Sequence, residues 1–377
     1  KKAILYHLVG GTQKEENGIT SRGALHVLII GDPGTGKTQL MQSAEKLGDS
    51  VLVSGTGVNS DGFSAMVTID QNGRPVIIEG ALVKADQKYL HIDKLDKMSP
   101  DLYSVLETSM EQQCYPLAKN GVIKYLDTRV SVLATSNPVL GRYNMYQTIG
   151  QNINLPIGLL NCFDLIFISR DHPDHYVDQM VAERILQLDH SKKPKETTLI
   201  EPALLRQYIE LASQIKTTMT HEAKTRLKDY YLEMRKATEQ EDAISITPRQ
   251  LQSLIRLSEA HAKLHLRESV LLSDVTDAYK VFSTFLEQVA VDVITGHIDI
   301  DVLVTGKSKS LRIQLQKVLQ VVDEMERISG AVKETDLYDV LSTDYGVNRG
   351  ETARLISNLL NDGLIYMPRP QYYRRTD

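Results

Sequence analysis

The sequence predicts a parallel α/β nucleotide-binding domain, then an all-helical domain, then a small winged-helix domain. Three observations predict this. An apolar run, Ala24–Ile30, leads into the glycine-rich turn Gly31-Asp32-Pro33-Gly34-Thr35-Gly36-Lys37-Thr38. Further apolar runs alternate with helix-like stretches beyond it. From Pro202 the apolar residues recur at three and four spacing instead, the period of helices.

Taken in order, residues 1–23 read as a short helix and a polar loop over Gly10 to Gly18. Ala24–Ile30 is apolar without alternation, as in a strand buried on both faces, and Thr38–Leu47 reads as the helix after it. Tyr89–Ile92, Val130–Ala134 and Leu165–Ile168 read as further strands, and their alternation with helices implies parallel pairing. Two Asn-Gly pairs interrupt the pattern. Asn72-Gly73 separates Ala65–Ile69 from Val76–Ile78, and Asn120-Gly121 separates Tyr115–Ala118 from Val122–Leu126. Both residue types accept positive φ, so each pair predicts a β-hairpin inserted into the α/β unit.

Leu204–Ile215, Ala223–Met234, Leu251–Leu266 and Val275–Val289 read as amphipathic helices. Thr247-Pro248 is a start signal, with Thr as N-cap and Pro in the first turn. Thr295–Lys309 lacks a period and reads as a linker. Leu311–Asp377 contains three short helices and then two strands, Leu364–Met367 and Tyr372-Tyr373, around a turn bracketed by Pro368 and Pro370, the pattern of a winged helix. The expected division is 1–195 for the α/β core, 196–294 for the helical part, 295–310 for the linker and 311–377 for the winged helix.

A chain of 377 residues has length for two or three domains and an ample core. Its 42% hydrophobic and 24% charged content is that of a globular protein. A net charge of −5 excludes a polycation, so any nucleic-acid contact must come from local basic clusters. Cys114 and Cys162 are far apart, without Cys or His at ligand spacing. That argues against a cysteine zinc site or a disulfide framework and fits a cytoplasmic or, in a eukaryote, nuclear setting. No apolar run approaches the ~18 residues that span a bilayer, so no membrane partner is expected. The opening Lys1-Lys2-Ala3-Ile4, without Met, is expected of a piece of something longer.

Gly31–Thr38 fits the phosphate-loop pattern between a predicted strand and helix. Its glycines let Asp32, Pro33, Gly34, Thr35, Gly36, Lys37 and Thr38 curl around phosphates, with the helix dipole adding to the attraction. Lys37 is expected on the β- and γ-phosphates of ATP and Thr38 on Mg²⁺. Asp93 ends an apolar strand, where a carboxylate holds the Mg²⁺ shell. Asn137 ends the next strand, where an amide orients water. Where a hydrolytic site carries its water-activating glutamate stands Lys94. A protonated lysine accepts no proton, and a general base is worth ~10²–10⁴-fold in rate.

These residues together resemble the minichromosome maintenance (MCM) family of AAA+ replicative helicases, in its archaeal form. Asp93-Lys94-Leu95-Asp96-Lys97-Met98 resembles the family's D-E-F-D-K-M, and Glu107–Gln113 its E-x-x-E-Q-Q helix. Asn137-Pro138 with Gly141-Arg142-Tyr143 resembles N-P-x-x-G-R-Y. Asn152–Pro156 resembles N-I-x-L-P, and Phe163–Phe167 resembles F-D-L-x-F. Pro248–Leu257 resembles the lid segment with the sensor-2 arginine. The resemblance runs from about residue 2 to the C-terminus and implies an ATP-binding ring, homo- or hetero-oligomeric, that encloses DNA. It places sensor 1 at Asn137 and sensor 2 at Arg249, the latter acting on a neighbour's nucleotide. It puts a DNA-facing pore lysine at Lys119 on the Asn120-Gly121 hairpin, and makes the Asn72-Gly73 hairpin the helix-2 insert. The family's N-terminal oligonucleotide-binding and zinc-bearing region has no counterpart in this sequence.

Two positions depart from the family pattern. Lys94 replaces the glutamate, and Cys162 in Asn161-Cys162-Phe163-Asp164 replaces the arginine finger of S-R-F-D. A finger is worth ~10³–10⁵ in rate. The expectation is therefore nucleotide and DNA binding without sequence preference, with hydrolysis impaired. The alternatives are an active helicase that uses Glu79, Asp96, Glu111 or a partner subunit's residues, and a non-catalytic regulatory protein. In the tail, Arg369, Arg374 and Arg375 interleave with Tyr372 and Tyr373, but Glu351 and Asp362 bring that domain near neutrality, so a protein partner competes with DNA there.

Overall fold

Unalternating apolar runs build the centre of the fold. Strands β1 (Val27–Gly31), β2 (Ser50–Ser54), β3 (Tyr89–Asp93), β4 (Ser131–Ser136) and β5 (Leu165–Ser169) form one sheet in the order β5-β1-β4-β3-β2. All its ladders are parallel. This is a computed structural model. It describes residues 1–16, 18–144, 147, 149–171, 173–187, 200–239, 247–289, 309–345, 348–361, 363–369 and 371–376. These fall into two compact units, one within 1–289 and one within 309–376. The expected linker lies mostly outside the described residues, as does the expected boundary at 195/196.

Every residue of β1 and β4 is buried, which explains their continuous apolar character. The sequence reading lacks β2. It is an edge strand with mostly half-buried or exposed residues, so its Ser-Val-Leu-Val-Ser pattern carries little burial signal. The register sets Ser169 beside Gly31, Ser136 beside Ile30 and Ser54 beside Asp93. The carboxyl ends of all five strands thus share one edge, where α/β sheets bind ligands.

Both expected hairpins form, as Ala65–Ile69 with Pro75–Glu79 and as Cys114–Lys119 with Val122–Asp127. Their turns differ. Asn120 and Gly121 both take positive φ (49° and 80°), the two-residue hairpin geometry. In the first hairpin only Gly73 does so (75°). There the Asp70 carboxylate accepts N–H bonds from Asn72 and Arg74, closing a longer turn. The hairpins share a small core of Ala65, Val67, Leu117 and Leu126. The polar loop expected after the Lys2–Val9 helix contains a further ladder, Lys14–Glu16 with Ile19–Ser21, whose charged short strands give no apolar alternation.

Helices Pro202–Gln214, His221–Glu239, Pro248–Leu264 and Leu272–Val289 follow. The Gln250 carboxamide oxygen accepts the Thr247 N–H at 3.1 Å, part of a capping box. Buried Ala223, Leu254 and Phe282 belong to the same core as Leu28 and Ile92, so the helical part packs as one body with the sheet.

The second unit holds helices Lys309–Ser329, Glu334–Tyr345 and Arg349–Asn361. Its three-stranded sheet orders Val332–Lys333, Tyr372–Arg375 and Ile365–Arg369. Tyr373 is buried against Val318, Leu337 and Leu359. Arg369 stacks on the Tyr372 ring at 3.8 Å, Arg374 pairs with Glu326 at 2.8 Å and Arg375 pairs with Asp323. The basic tail is therefore largely neutralised within its own unit.

Candidate nucleotide site

At the carboxyl edge of the sheet the chain leaves β1 through a turn in which Gly34 and Gly36 take φ of 86° and 79°, a left-handed conformation that disfavours side chains. The turn delivers Lys37 and Thr38 to the start of the Lys37–Glu45 helix. Pro33, Gly34, Gly36, Lys37, Thr38, Asp93, Lys94, Thr135 and Asn137 line one cavity of about 330 Å³. The site residues expected from the turn and the two strand ends are thus brought together.

The Lys37 ammonium donates to the carbonyls of Gly31 and Asp32, both at 2.7 Å, which holds it over the turn. Burial lowers its pKa, opposed by Asp32, Asp93 and Asp96. Asp93 Oδ1 accepts the hydroxyls of Thr38 at 3.1 Å and Thr135 at 2.6 Å. Thr135 is a participant the sequence reading lacks. Its signal was the parallel register, which pairs Ala134 with Ile92 and so carries Thr135 alongside Asp93. Lys94 takes a left-handed backbone (φ 57°, ψ 56°), donates its N–H to Thr135 Oγ1 at 3.1 Å and stays exposed at the cavity wall. Asn137 donates its N–H to Asp96 Oδ1 at 2.9 Å.

Two loop residues stand elsewhere. The Asp32 carboxylate braces the loop by accepting the N–H groups of Tyr143 at 2.7 Å and Asp171 at 3.0 Å, and it does not line the cavity. Thr35 lines a neighbouring cavity of about 690 Å³, walled by Ile4, Leu40, Phe167 and Val281 and reaching Gly36 and Lys37. Of the alternative bases, Glu79, Asp96 and Glu111 do not line the phosphate-loop cavity.

Arg249 and Cys162 meet at a different corner. Glu111 Oε1 accepts Arg249 at 2.5 Å and lies 3.7 Å from the Cys162 sulfur, which also faces the Gly158 carbonyl at 3.3 Å. Cys162 is only 2% exposed, and burial, then Glu111 and Glu107, push its thiol up to about 12. Beneath this corner Asp164 binds Arg256 at 2.6 Å, Arg22 at 3.4 Å and the Ser253 hydroxyl at 2.6 Å. Lys119 pairs with Asp61 at 2.8 Å and donates to the Ala65 carbonyl, tying the two hairpins together. The pore lysine implied by the resemblance is thus paired in this structure with Asp61, in the Ser60–Phe63 helix just before the neighbouring hairpin.

A parallel β5-β1-β4-β3-β2 sheet with a phosphate loop at its carboxyl edge and a helical lid defines a P-loop protein of the AAA+ class. Residues 1–189 match the MCM P-loop domain and residues 203–286 the MCM AAA-lid domain. The chain is 36% identical over 380 residues to the minichromosome maintenance protein MCM of Saccharolobus solfataricus, covering all of this chain and 55% of that protein. It is 39% identical over 339 residues to the DNA replication licensing factor MCM4 of Drosophila melanogaster, covering 88% of this chain and 39% of that protein. The chain belongs to the minichromosome maintenance family. It spans about half the length of the archaeal relative and less of the fly one. Among the described residues, no helix is long and apolar enough to cross a membrane.

Proposed function

We propose that this chain is the motor portion of an MCM-type helicase subunit that binds ATP and DNA within a ring and hydrolyses ATP poorly. One observation carries the reading: Lys37, Thr38 and Asp93 remain in register around a cavity whose wall, at the water-activating position, is Lys94. The loop N–H groups and Lys37 hold the phosphates. The neighbouring apolar cavity takes the nucleoside. Thr38 and Asp93 present hard oxygens 3.1 Å apart, a donor pair that fits Mg²⁺. Held by Thr38 and Asp93, the ion would supply charge neutralisation to the phosphates. Asn137 orients water, and Lys94 pairs with the γ-phosphate rather than accepting a proton. Across a subunit boundary Arg249, once released from Glu111, reaches the neighbour's nucleotide, while the buried, neutral Cys162 offers the neighbour no cation.

Lys119, once released from Asp61, contacts DNA phosphate without reading sequence. Residues 1–195 form the AAA+ core, 196–294 the lid, 295–310 a linker and 311–377 a winged helix. The test is binding of a fluorescent ATP analogue and phosphate release by the full chain, with and without single-stranded DNA. The expected result is Mg²⁺-dependent binding that Lys37→Ala abolishes, with turnover near background. Robust DNA-stimulated phosphate release by the chain alone would overturn it.

A further inference from the structure

We infer that the Lys2–Val9 helix is seated on a cluster of buried, uncharged rings, His7 and His91 with Tyr89, and that acid unseats it by protonating the imidazoles. Spacing of two puts Tyr89 and His91 on one face of β3, where their rings stack with centroids 6.3 Å apart. His7 comes from the helix onto both, 5.5 Å from the Tyr89 ring and 5.9 Å from the His91 ring. His7 is 1% exposed and His91 is fully buried. The Tyr89 hydroxyl donates to the Leu8 carbonyl, so the cluster also holds the end of the helix.

The hydrogen bonds leave a proton without a place. His7 Nδ1 lies 2.8 Å from the Leu25 carbonyl, an acceptor, so Nδ1 carries the hydrogen and Nε2 a lone pair. Among the described residues nothing bonds that Nε2 or either nitrogen of His91. In the sheet His91 lies in register with Leu52 and Leu133. A proton on either ring makes a buried cation with an N–H that meets no acceptor.

The surrounding charges do not compensate. Asp164 is the carboxylate that bears on His7, and it is bonded to Arg22, Arg256 and Ser253. Glu210, on the Pro202–Gln214 helix, bears on Tyr89. Lys88 and Arg129 line one cavity with His7 and are paired with Asp49 and Asp86. His26, a third buried imidazole, accepts the Val132 N–H at Nδ1 and also faces Arg22 and Arg256. Burial accordingly lowers His7 to about 4 and His91 to about 3. A histidine in the unfolded chain titrates near 6.5. As pH falls, the unfolded chain therefore binds these protons first. Stability is intact above about pH 6.5 and is lost from there down to the folded values, starting at higher pH than the Asp164 window. The helix also carries Ala3 and Ile4 into the wall of the 690 Å³ cavity. Unseating it opens that cavity and weakens nucleotide holding, a consequence that rests on the nucleotide reading.

The test uses the full chain without nucleotide, so its failure is distinct from failure of that reading. Urea unfolding at pH 7.5 and 5.0 is measured beside hydrogen exchange and NMR titration of the histidine ring signals. Each buried imidazole is expected to raise the unfolding constant by about 30-fold between the two pH values. His91→Leu replaces an unbonded ring with an apolar group of similar size and should lose that share. His7→Asn, which keeps a donor for the Leu25 carbonyl, should lose a like share. In the wild type at least two histidines should stay neutral down to pH 5. The Lys2–Val9 amides should lose protection there, relative to their intrinsic exchange rates, before those of β1. Every histidine titrating near 6.5, helix amides as protected at pH 5.0 as at pH 7.5, or one shared pH dependence for wild type and His91→Leu would each overturn the inference.

Discussion

The phosphate-loop edge and the Cys162–Arg249 corner belong to one unit but hold their charges in opposite ways. At the edge, Lys37 is tied to the loop carbonyls and Asp93 to the hydroxyls of Thr38 and Thr135, and Lys37, Thr38 and Asp93 all face a cavity. At the corner, Arg249 is held by Glu111, and Cys162 is buried with its thiol protonated. One region presents its polar groups to a cavity and the other satisfies them internally. The contrast teaches that phosphate binding needs little beyond a loop and two strand ends. Reaching a neighbour's nucleotide needs an extended cation that the chain's own packing leaves free.

The largest expected effect erases this contrast. Lys94→Glu with Cys162→Arg puts a base at the edge and a cation at the corner, beside Glu107 and Glu111. Phosphate release is expected to rise by ~10²-fold or more, since a base and a finger are worth ~10²–10⁴ and ~10³–10⁵ and act as a unit. Each single substitution should do far less. A double variant no faster than wild type would show that the two regions differ in more than these positions.

Next in size is the charge cluster beneath the corner. Asp164→Asn leaves Arg256, whose side chain is 6% exposed, without its counter-ion, at a cost of about 3–5 kcal/mol in urea unfolding. Burial alone would raise the Asp164 carboxyl, but Arg22 and Arg256 overcome it and hold the group well below the usual carboxylate range. In acid the unfolded chain therefore binds the extra proton. Stability from this group is present above about pH 4 and falls as pH drops below it. The variant should lose that part of the acid dependence. An unchanged pH profile would remove the cluster as the corner's foundation.

The smallest effect separates exposure from charge. At pH 8, iodoacetamide should label half-buried Cys114 in the native chain and spare Cys162. Glu111→Gln removes the largest charge raising the Cys162 thiol and frees Arg249. Cys162 labelling should quicken while stability changes by less than about 1 kcal/mol, because the broken pair is exposed. Labelling as slow as in the wild type would mean that burial alone protects the thiol.

Much of the fold was legible in the residues. The buried strands of the sheet show as unbroken apolar runs, the hairpins as Asn-Gly pairs, and the Pro248 helix by its cap. The edge strand Ser50–Ser54 was not, because a half-exposed strand lacks the apolar density that marks burial. The Lys14–Ser21 ladder was hidden for the same reason.

The sequence by itself determined the phosphate loop, because Gly34 and Gly36 impose its conformation and Lys37 and Thr38 follow within a few residues. Through the family resemblance it also carries the proposal that Lys94 and Cys162 stand where the family has glutamate and arginine. Only the tertiary structure decided what those residues touch. Thr135 reaches Asp93 through strand pairing, Asp32 turns inward to brace Tyr143 and Asp171, and Lys119 is captured by Asp61. Glu111 meets both Cys162, 51 residues along the chain, and Arg249, 138 residues along it. The physical reason is range. Backbone conformation and burial pattern act over a few neighbouring residues, whereas a side chain's charge partner is set by which distant elements the core brings into contact.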